Sequence, residues 1–132
     1  MNIGLLIITH GDIGKALYEA VVSMLGSCPL NTQVLEVAQE HDPEERISRA
    51  KAMIKSLNRG GGVLVLTDMY GSTPSNIACA LRDDKEVAIV TGINLPMLVR
   101  ILNYPDLKLE QLVQKALSAG REGVMSCQKK RN

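Results

Sequence analysis

The chain has 132 residues, 45% of them hydrophobic, and a formal charge of +1 from 15 basic and 14 acidic residues. This length suits one domain over residues 1–132, and the near-neutral charge, with a single basic cluster at Lys129, Lys130 and Arg131, argues against nucleic acid as the main partner. Three cysteines without a C-x-x-C pair indicate reduced thiols, and the short N-terminal apolar run fits neither a secretory signal nor a membrane span, so we expect a cytoplasmic protein.

The first two elements are predicted to be a buried strand and an amphipathic helix. A nearly continuous apolar run over residues 3–9 predicts a strand covered on both faces. Apolar residues then repeat at helical spacing, which predicts a helix that buries one face made of Ile13, Ala16, Leu17, Ala20, Val21, Met24 and Leu25.

The second strand, over residues 32–37, is followed by a helix with clear signals at both ends. Asp42 predicts the N-cap and Pro43 the first helical position, and the two glutamates that follow suit the positive end of the helix dipole. At the other end Gly60 suits a left-handed cap before a third strand over residues 63–67.

The rest of the chain continues the alternation of strands and helices. We expect a short helix after Thr73-Pro74, a strand over 87–91, a helix after Asn94-Leu95-Pro96 and a longer helix that ends at Gly120. This alternation predicts a doubly wound α/β fold, a mostly parallel sheet with helices on both faces. We take the common strand order 2-1-3-4 for this sheet.

Two residues with catalytic potential stand at strand ends. His10 follows the first strand and Asp68 follows the third, and in the order 2-1-3-4 these ends flank the point where the strand order reverses, where open sheets bind ligands. A carboxylate that accepts a hydrogen bond from one ring nitrogen leaves the other nitrogen free as a nucleophile. Each residue alone also has a structural interpretation, because a strand-end histidine can be merely hydrogen-bonded and an aspartate can cap a loop.

The loop after Asp68 predicts an anion site. Gly71, Ser72 and Thr73 lead into the helix that Pro74 begins, and unpaired N–H groups at a helix start favour an anion. Thr73 suits the N-cap, and its hydroxyl could either cap the helix or donate to a phosphoryl oxygen. The loop lacks the P-loop pattern, so it does not predict nucleotide binding.

The other candidate residues predict no further chemistry. His41 precedes the Asp42 cap in an acidic stretch, and we interpret it as structural. No metal-ligand spacing surrounds His10 or His41, and no G-x-S-x-G elbow surrounds Ser72, so neither a metal site nor a hydrolase is expected.

Four short patterns occur together and in a fixed order. They are T-H-G around residue 10, D-x-x-G-x-[ST]-P-x-N-x-A at 68–78, G-[IV]-N-[ILV]-P-M at 92–97 and A-G-R-E-G-V at 119–124. This set resembles the IIA components of the mannose family of bacterial sugar phosphotransferase systems, and the resemblance spans nearly the whole chain.

The resemblance implies a phosphoryl carrier that needs no metal or organic cofactor. His10 would accept a phosphoryl group from phosphorylated HPr and pass it to a histidine of a IIB protein, with Asp68 orienting His10 and with Gly71, Ser72 and Thr73 holding the phosphoryl oxygens. It also implies a homodimer in which a C-terminal strand, 124–128, joins the partner's sheet antiparallel to the other strands. We expect a stand-alone IIA protein, associated at most indirectly with membrane IIC and IID subunits.

Three other functions remain open at this point. The chain could be a regulatory phospho-acceptor without a sugar permease, or a phosphoryl donor module for a dihydroxyacetone kinase. It could also be a non-enzymatic module that binds a small anion at the 71–76 loop, with His10 structural.

Overall fold

Four parallel strands and five helices make up residues 2–128, the part of the chain that the computed structural model describes. The strand order is β2-β1-β3-β4, and every neighbouring pair is parallel. The predicted fold class and strand order are therefore confirmed. In chain order the elements are β1 (Gly4–His10), α1 (Ile13–Leu25), β2 (Thr32–Val37), α2 (Pro43–Leu57), β3 (Val63–Thr67), α3 (Thr73–Cys79), β4 (Val87–Thr91), α4 (Leu95–Leu102) and α5 (Leu109–Glu122).

The two central strands, β1 and β3, are buried on both faces. Alternate side chains of β1 enter opposite layers, because Leu5 and Ile7 pack with α1, α4 and α5 while Leu6 and Ile8 pack with α2 and α3. A one-residue slip would exchange the two sets, so packing on both faces fixes the register in which Ile8 pairs with Thr67. This register determines which residues meet at the carboxyl ends of the strands.

The start of α2 agrees with the prediction and its end does not. Asp42 is the N-cap, and its carboxylate accepts the Glu44 N–H at 3.2 Å. At the other end the C-cap is Asn58 in extended conformation, and Gly60, with φ 111°, lies two residues further on. The Asn58 side chain accepts the N–H groups of Gly60 and Gly62 at 2.9 and 3.0 Å, and so organises the turn that leads to β3.

The prediction that the last helix ends at Gly120 is wrong, because α5 continues to Glu122. Gly120 instead allows close packing, since a Cβ there would lie 2.8 Å from Met97 Cε on α4. The Asn94 side chain joins the same two helices. It caps α4 by accepting the Met97 N–H at 3.0 Å, and it donates to the Gly120 carbonyl at 3.1 Å. The sequence patterns at 92–97 and 119–124 therefore both contribute to the contact between α4 and α5.

The predicted buried face of α1 is only partly buried. Val21 is fully buried and Leu25 packs against the core, as expected. Ile13 and Met24, however, are 48% and 61% exposed, and Ala16 is exposed as well. The apolar surface of α1 is thus wider than the area that the rest of the chain covers, which helical periodicity alone cannot reveal.

Residues 124–128 have no regular secondary structure, and the side chains of Val124 and Met125 are 78% and 79% exposed. The exchange of this segment between two protomers therefore stays a prediction. The basic cluster predicted as a solvated tail, 129–131, lies outside the described residues. None of the helices between residues 2 and 128 combines the length and apolar character that crossing a bilayer requires.

Candidate active site

His10 and Asp68 meet at the carboxyl ends of the two central strands. His10 is the last residue of β1, and Asp68 directly follows β3. Because Ile8 pairs with Thr67, the chain places the two side chains on adjacent strand ends. His10 Nδ1 lies 2.7 Å from Asp68 Oδ2, a charge-assisted hydrogen-bond distance. The structure thus brings together the two residues that the sequence predicted to meet.

Three hydrogen bonds hold the Asp68 carboxylate. Oδ2 accepts one hydrogen bond from the ring Nδ1 of His10 at 2.7 Å and another from the His10 backbone N–H at 3.0 Å. Oδ1 accepts a hydrogen bond from the Met69 N–H at 3.0 Å. The Asp68 side chain is only 13% exposed. The backbone bond, which the sequence did not predict, ties the carboxylate to both the ring and the main chain of His10 and so fixes their relative position.

These contacts keep Asp68 ionised. Burial on its own would raise the pKa of Asp68, but the hydrogen bonds from the His10 backbone and ring and the electrostatic attraction of the nearby ring together lower the pKa below its ordinary value of 3.8. An ionised carboxylate can only accept a hydrogen bond. The proton between the two side chains therefore belongs to His10 Nδ1.

The other ring nitrogen of His10 is available for chemistry. With the proton on Nδ1, a neutral imidazole keeps its lone pair on Nε2. The His10 side chain is 47% exposed, so a reacting group can reach it from solvent. This arrangement of an oriented, accessible imidazole backed by a carboxylate can act as a nucleophile or as a proton acceptor.

The turn after His10 is closed by short-range contacts. Gly11 adopts a left-handed φ of 45°, and its N–H donates to the Val37 carbonyl of β2 at 3.0 Å. The buried Thr9 hydroxyl accepts the Gly14 N–H in the first turn of α1 at 2.7 Å. The residues on both sides of His10 are therefore anchored, and the imidazole projects from a rigid strand–helix turn.

The predicted anion loop follows Asp68 directly, but Ser72 and not Thr73 is the N-cap of α3. The helix begins at Thr73, so Pro74 is its second residue. The Gly71 N–H donates to Ser75 Oγ at 3.4 Å, and the Ser72 hydroxyl donates to the Met69 carbonyl at 2.6 Å. These internal bonds occupy part of the donor capacity that the sequence had assigned to an anion.

Thr73 differs from Gly71 and Ser72, whose hydrogen-bond donors already form bonds within the loop. Its side chain is exposed, and no acceptor for its hydroxyl or its backbone N–H is found within the part of the chain that the structure covers. The predicted capping role of this hydroxyl is wrong, because Ser72 is the N-cap, and its role as a donor to a phosphoryl oxygen stays a prediction. Thr73 is the predicted anion-binding residue with the most free hydrogen-bonding capacity.

His41 has a structural contact. Its Nδ1 accepts the Ala38 N–H at 2.9 Å, which closes the turn between β2 and α2. It takes no part in the hydrogen bonds between His10 and Asp68. Within residues 2–128, His, Cys, Asp and Glu side chains do not form any group of three or more that could hold a metal ion.

Exposed apolar side chains stand close in sequence to both residues of the pair, although the sequence had predicted Ile13 to be buried and had assigned no role to the other two. Met69 and Tyr70, the two residues after Asp68, are 60% and 80% exposed, and Ile13, three residues after His10, is 48% exposed. In the sequence, the feature that could have indicated their exposure was their position shortly after the strand ends. Large exposed apolar groups are typical of a surface that contacts another protein.

Comparisons of the sequence and of the structure with known proteins all point to one protein family. The model of the EIIA-man family, described as PTS system fructose IIA component, matches residues 4–117. The chain is 32% identical over 133 residues to the PTS system mannose-specific EIIAB component of Escherichia coli (strain K12), an alignment that covers 98% of this chain and 41% of that relative. The chain therefore spans less than half the length of this relative.

Two further similarities cover nearly the whole chain. It is 25% identical over 120 residues to the PTS system sorbose-specific EIIA component of Lacticaseibacillus casei, with 89% of this chain and 86% of the relative aligned. The solved mannose/sorbose specific IIA subunit of the phosphotransferase system from Enterococcus faecalis superposes with a TM-score of 0.86 at 20% identity, covering 100% and 99% of the two chains. At this identity the superposition demonstrates the shared fold.

Proposed function

This chain belongs to the EIIA-man family of phosphotransferase-system IIA components, and on that premise we propose that His10 carries a phosphoryl group from one partner protein to another. Membership makes the chain a component of phosphotransfer. The assignment to His10 rests on one observation, the 2.7 Å contact between His10 Nδ1 and Asp68 Oδ2 on an imidazole side chain that is 47% exposed.

The chemical step is an in-line displacement between two imidazoles. The lone pair of His10 Nε2 attacks the phosphorus of a phosphohistidine on the donor, the new N–P bond forms, and the donor's N–P bond breaks as its ring leaves. The neutral tautomer with its proton on Nδ1 can react in this way without losing a proton. Transfer to the acceptor reverses the direction of attack.

Asp68 supports this step through charge and orientation. Attachment of phosphorus to Nε2 makes the His10 ring cationic, and the ionised carboxylate 2.7 Å from Nδ1 stabilises that charge. The carboxylate is itself fixed by the N–H groups of His10 and Met69, so it does not have to reorganise during transfer. Its role is therefore that of a preorganised counter-charge.

The phosphoryl oxygens would be held by the loop that follows Asp68. Thr73 offers a free hydroxyl, and Gly71 and Ser72 contribute backbone N–H groups whose internal bonds are long, at 3.4 and 3.3 Å. Long bonds of this kind can be exchanged for shorter, charge-assisted ones when an anion arrives. We rank Thr73 above Gly71 and Ser72 as an oxygen ligand for this reason.

The donor is proposed to be phosphorylated HPr and the acceptor a histidine of a IIB protein. The name of the Escherichia coli relative combines an A and a B component, which supports a IIB acceptor. We propose that the chain works in the cytoplasm, next to membrane IIC and IID subunits where a sugar is transported.

We propose a homodimer that forms through the edge of β4. The other edge strand, β2, is partly blocked. The Val37 carbonyl accepts the N–H of Gly11, just after β1, so the neighbouring Glu36 carbonyl points outward, and Arg46 donates to it at 3.0 Å. Along β4 instead runs an open groove of about 410 Å³. The exposed Val124 and Met125 supply the apolar residues for the exchanged strand. A monomeric mass in solution would reject this arrangement.

The test of the proposed function is phosphoryl acceptance in a defined mixture. The chain is incubated with Enzyme I, HPr and phosphoenolpyruvate, and acid-labile phosphate on the chain is measured. We expect labelling of the unmodified chain and none of His10→Ala, with His41→Ala as the matched control that retains labelling. Absence of labelling with competent partners would reject the relay.

A further inference from the structure

The helix that follows His10 is not capped by the side chain of its own N-cap residue. Asp12 occupies the N-cap position of α1, but its side chain makes no capping hydrogen bond. The N–H of Gly14, the second residue of the helix, donates instead to the Thr9 hydroxyl of β1 at 2.7 Å. An N-cap side chain normally accepts this N–H or the next one. The cap of α1 therefore comes from the strand, from the residue directly before His10.

This contact closes a short loop that contains His10. Thr9 and Gly14 are both buried, and the residues between them, 10–13, include the whole turn from β1 into α1. The Thr9 hydroxyl also donates to the His10 carbonyl at 3.3 Å. One hydroxyl thus accepts from the helix and donates to the histidine, so a movement of the first turn of α1 relative to β1 is passed to the main chain of His10.

The space around the Thr9 hydroxyl admits only glycine at position 14. A Cβ at Gly14 would lie 2.9 Å from Thr9 Oγ1 and 2.7 Å from Ile7 Cγ2, closer than a Cβ comes to a neighbouring atom without displacing it. Gly14 does not have a positive φ, so it is the space and not the backbone conformation that calls for glycine. Glycine here lets the first turn of α1 approach β1 closely enough for the 2.7 Å hydrogen bond.

We infer that Thr9 is a positioning residue for phosphoryl transfer, an inference that rests on the proposed function of His10. The Thr9 hydroxyl holds the His10 carbonyl, and Asp68 Oδ2 accepts the His10 N–H at 3.0 Å. The main chain of His10 is therefore fixed on both sides, and its ring meets the Asp68 carboxylate at 2.7 Å in one orientation. Thr9 is fully buried, so it acts through His10 and not on the phosphoryl group itself.

Loss of the Thr9 hydroxyl leaves the buried Gly14 N–H without its acceptor. A buried N–H without a partner is unfavourable, so the first turn of α1 has to move toward water or another acceptor. That movement displaces His10 Nδ1 from Asp68, and a misplacement of about 1 Å can slow a reaction by about 10²-fold. The chemical step therefore slows, whereas the half-saturating concentration of the donor protein, which reflects binding, should change little.

The matched control is Thr67, a fully buried threonine directly before Asp68 whose hydroxyl has no hydrogen-bond partner in the described part of the chain, 2–128. Single-turnover rates of phosphoryl acceptance are measured against the concentration of phosphorylated HPr. We expect Thr9→Val to lower the maximal rate by about tenfold with the half-saturating concentration nearly unchanged, and Thr67→Val to change that rate by less than about twofold. Thr9→Ser, which keeps the hydroxyl, should recover most of the rate. Gly14→Ala, which crowds the hydroxyl, should slow transfer as Thr9→Val does.

A second readout does not depend on the partner proteins. The ¹⁵N shifts of the His10 ring report the fraction of neutral rings that carry the proton on Nδ1. We expect this fraction to fall in Thr9→Val and in Gly14→Ala and to stay unchanged in Thr67→Val. Gly123→Ala, which should destabilise the packing of α5 on α4, tests whether lost stability alone slows transfer.

Four results would overturn the inference. They are an unchanged maximal rate in Thr9→Val, an unchanged fraction of Nδ1-protonated His10 in that variant, equal slowing by Thr67→Val or Gly123→Ala, and no recovery in Thr9→Ser. Circular dichroism verifies that each variant is folded, and if Thr9→Val is not, Gly14→Ala is compared with Thr67→Val by the same measurements. The proposed function is tested separately, because absence of phosphoryl acceptance by the unmodified chain rejects the relay, whereas the ring tautomer still tests the role of Thr9.

Discussion

The Asp68 carboxylate oxygen Oδ2 accepts hydrogen bonds from both the ring Nδ1 and the backbone N–H of His10, at 2.7 and 3.0 Å. One acceptor atom thus fixes the position of the strand end and the orientation of the imidazole together. A side chain bound only through its ring could rotate away, whereas this double contact restricts the ring to one face. Nε2 is then the ring nitrogen that this contact with Asp68 leaves unoccupied.

Replacing Asp68 with Asn should slow transfer without unfolding the chain. The amide is nearly isosteric, but it has no negative charge to offset the cationic ring that forms with the N–P bond. We expect the rate of phosphoryl acceptance to fall by at least about 10²-fold. Asp12→Asn is the matched control, because the exposed Asp12 side chain makes no capping bond with α1. Equal rates for Asp68→Asn and the unmodified chain would remove Asp68 from the mechanism.

The lowered pKa of Asp68 predicts a dependence of stability on pH. Because the pKa in the folded state is below the ordinary value of 3.8, the ionised carboxylate stabilises the fold at pH values above 3.8 and loses this effect as the pH falls through the folded-state pKa. The difference in unfolding free energy between the unmodified chain and Asp68→Asn should therefore shrink in acid. Carboxyl NMR titration checks this directly, and a midpoint at or above 3.8 would contradict it.

Two buried threonines should respond in opposite directions to the same substitution. Thr67 and Thr9 are both fully buried, but Thr67 Oγ1 has no hydrogen-bond partner among residues 2–128, whereas Thr9 Oγ1 accepts the Gly14 N–H at 2.7 Å. Thr67→Val should stabilise the chain by about 1 kcal/mol, and Thr9→Val should destabilise it by about 1–2 kcal/mol. Urea unfolding measures both changes, and a destabilising Thr67→Val would show that its hydroxyl has a partner after all.

The two glycines near the end of α5 should also differ. A Cβ at Gly120 would meet Met97 Cε, the end of a flexible side chain, and alanine also has the higher helix propensity by about 1 kcal/mol, so Gly120→Ala should be nearly neutral. A Cβ at Gly123 would overlap the rigid Pro96 ring, so Gly123→Ala should cost about 1–3 kcal/mol. Thermal unfolding compares them, and equal melting temperatures would contradict this packing.

The sequence predicted the fold well because its strands are strongly patterned. The bounds of β2, β3 and β4 agree with the prediction, and β1 begins and ends one residue later. Both central strands are continuous apolar runs, which are typical of a parallel sheet covered on two faces. The expectation that His10 and Asp68 meet followed from taking the common strand order, since parallel strands bring their carboxyl ends to one edge.

The features that the sequence did not predict depend on how its segments contact one another in the fold. Gly120 has the residue type of a helix end, but its role is set by Met97 on another helix. Thr73 has the residue type of an N-cap, but the chain makes Ser72 the cap and leaves Thr73 exposed. Helical spacing placed Met24 on the apolar side of α1, but only the position of the sheet shows that this part of the helix stays uncovered.

The most direct test of the account is to identify the nitrogen of His10 that carries phosphorus. The ¹⁵N-labelled chain is phosphorylated with Enzyme I, HPr and phosphoenolpyruvate, and the ring nitrogens are assigned by NMR through their coupling to phosphorus. The account predicts phosphorus on Nε2, because Nδ1 is bound to Asp68 at 2.7 Å. Phosphorus on Nδ1, or on a residue other than His10, would contradict it.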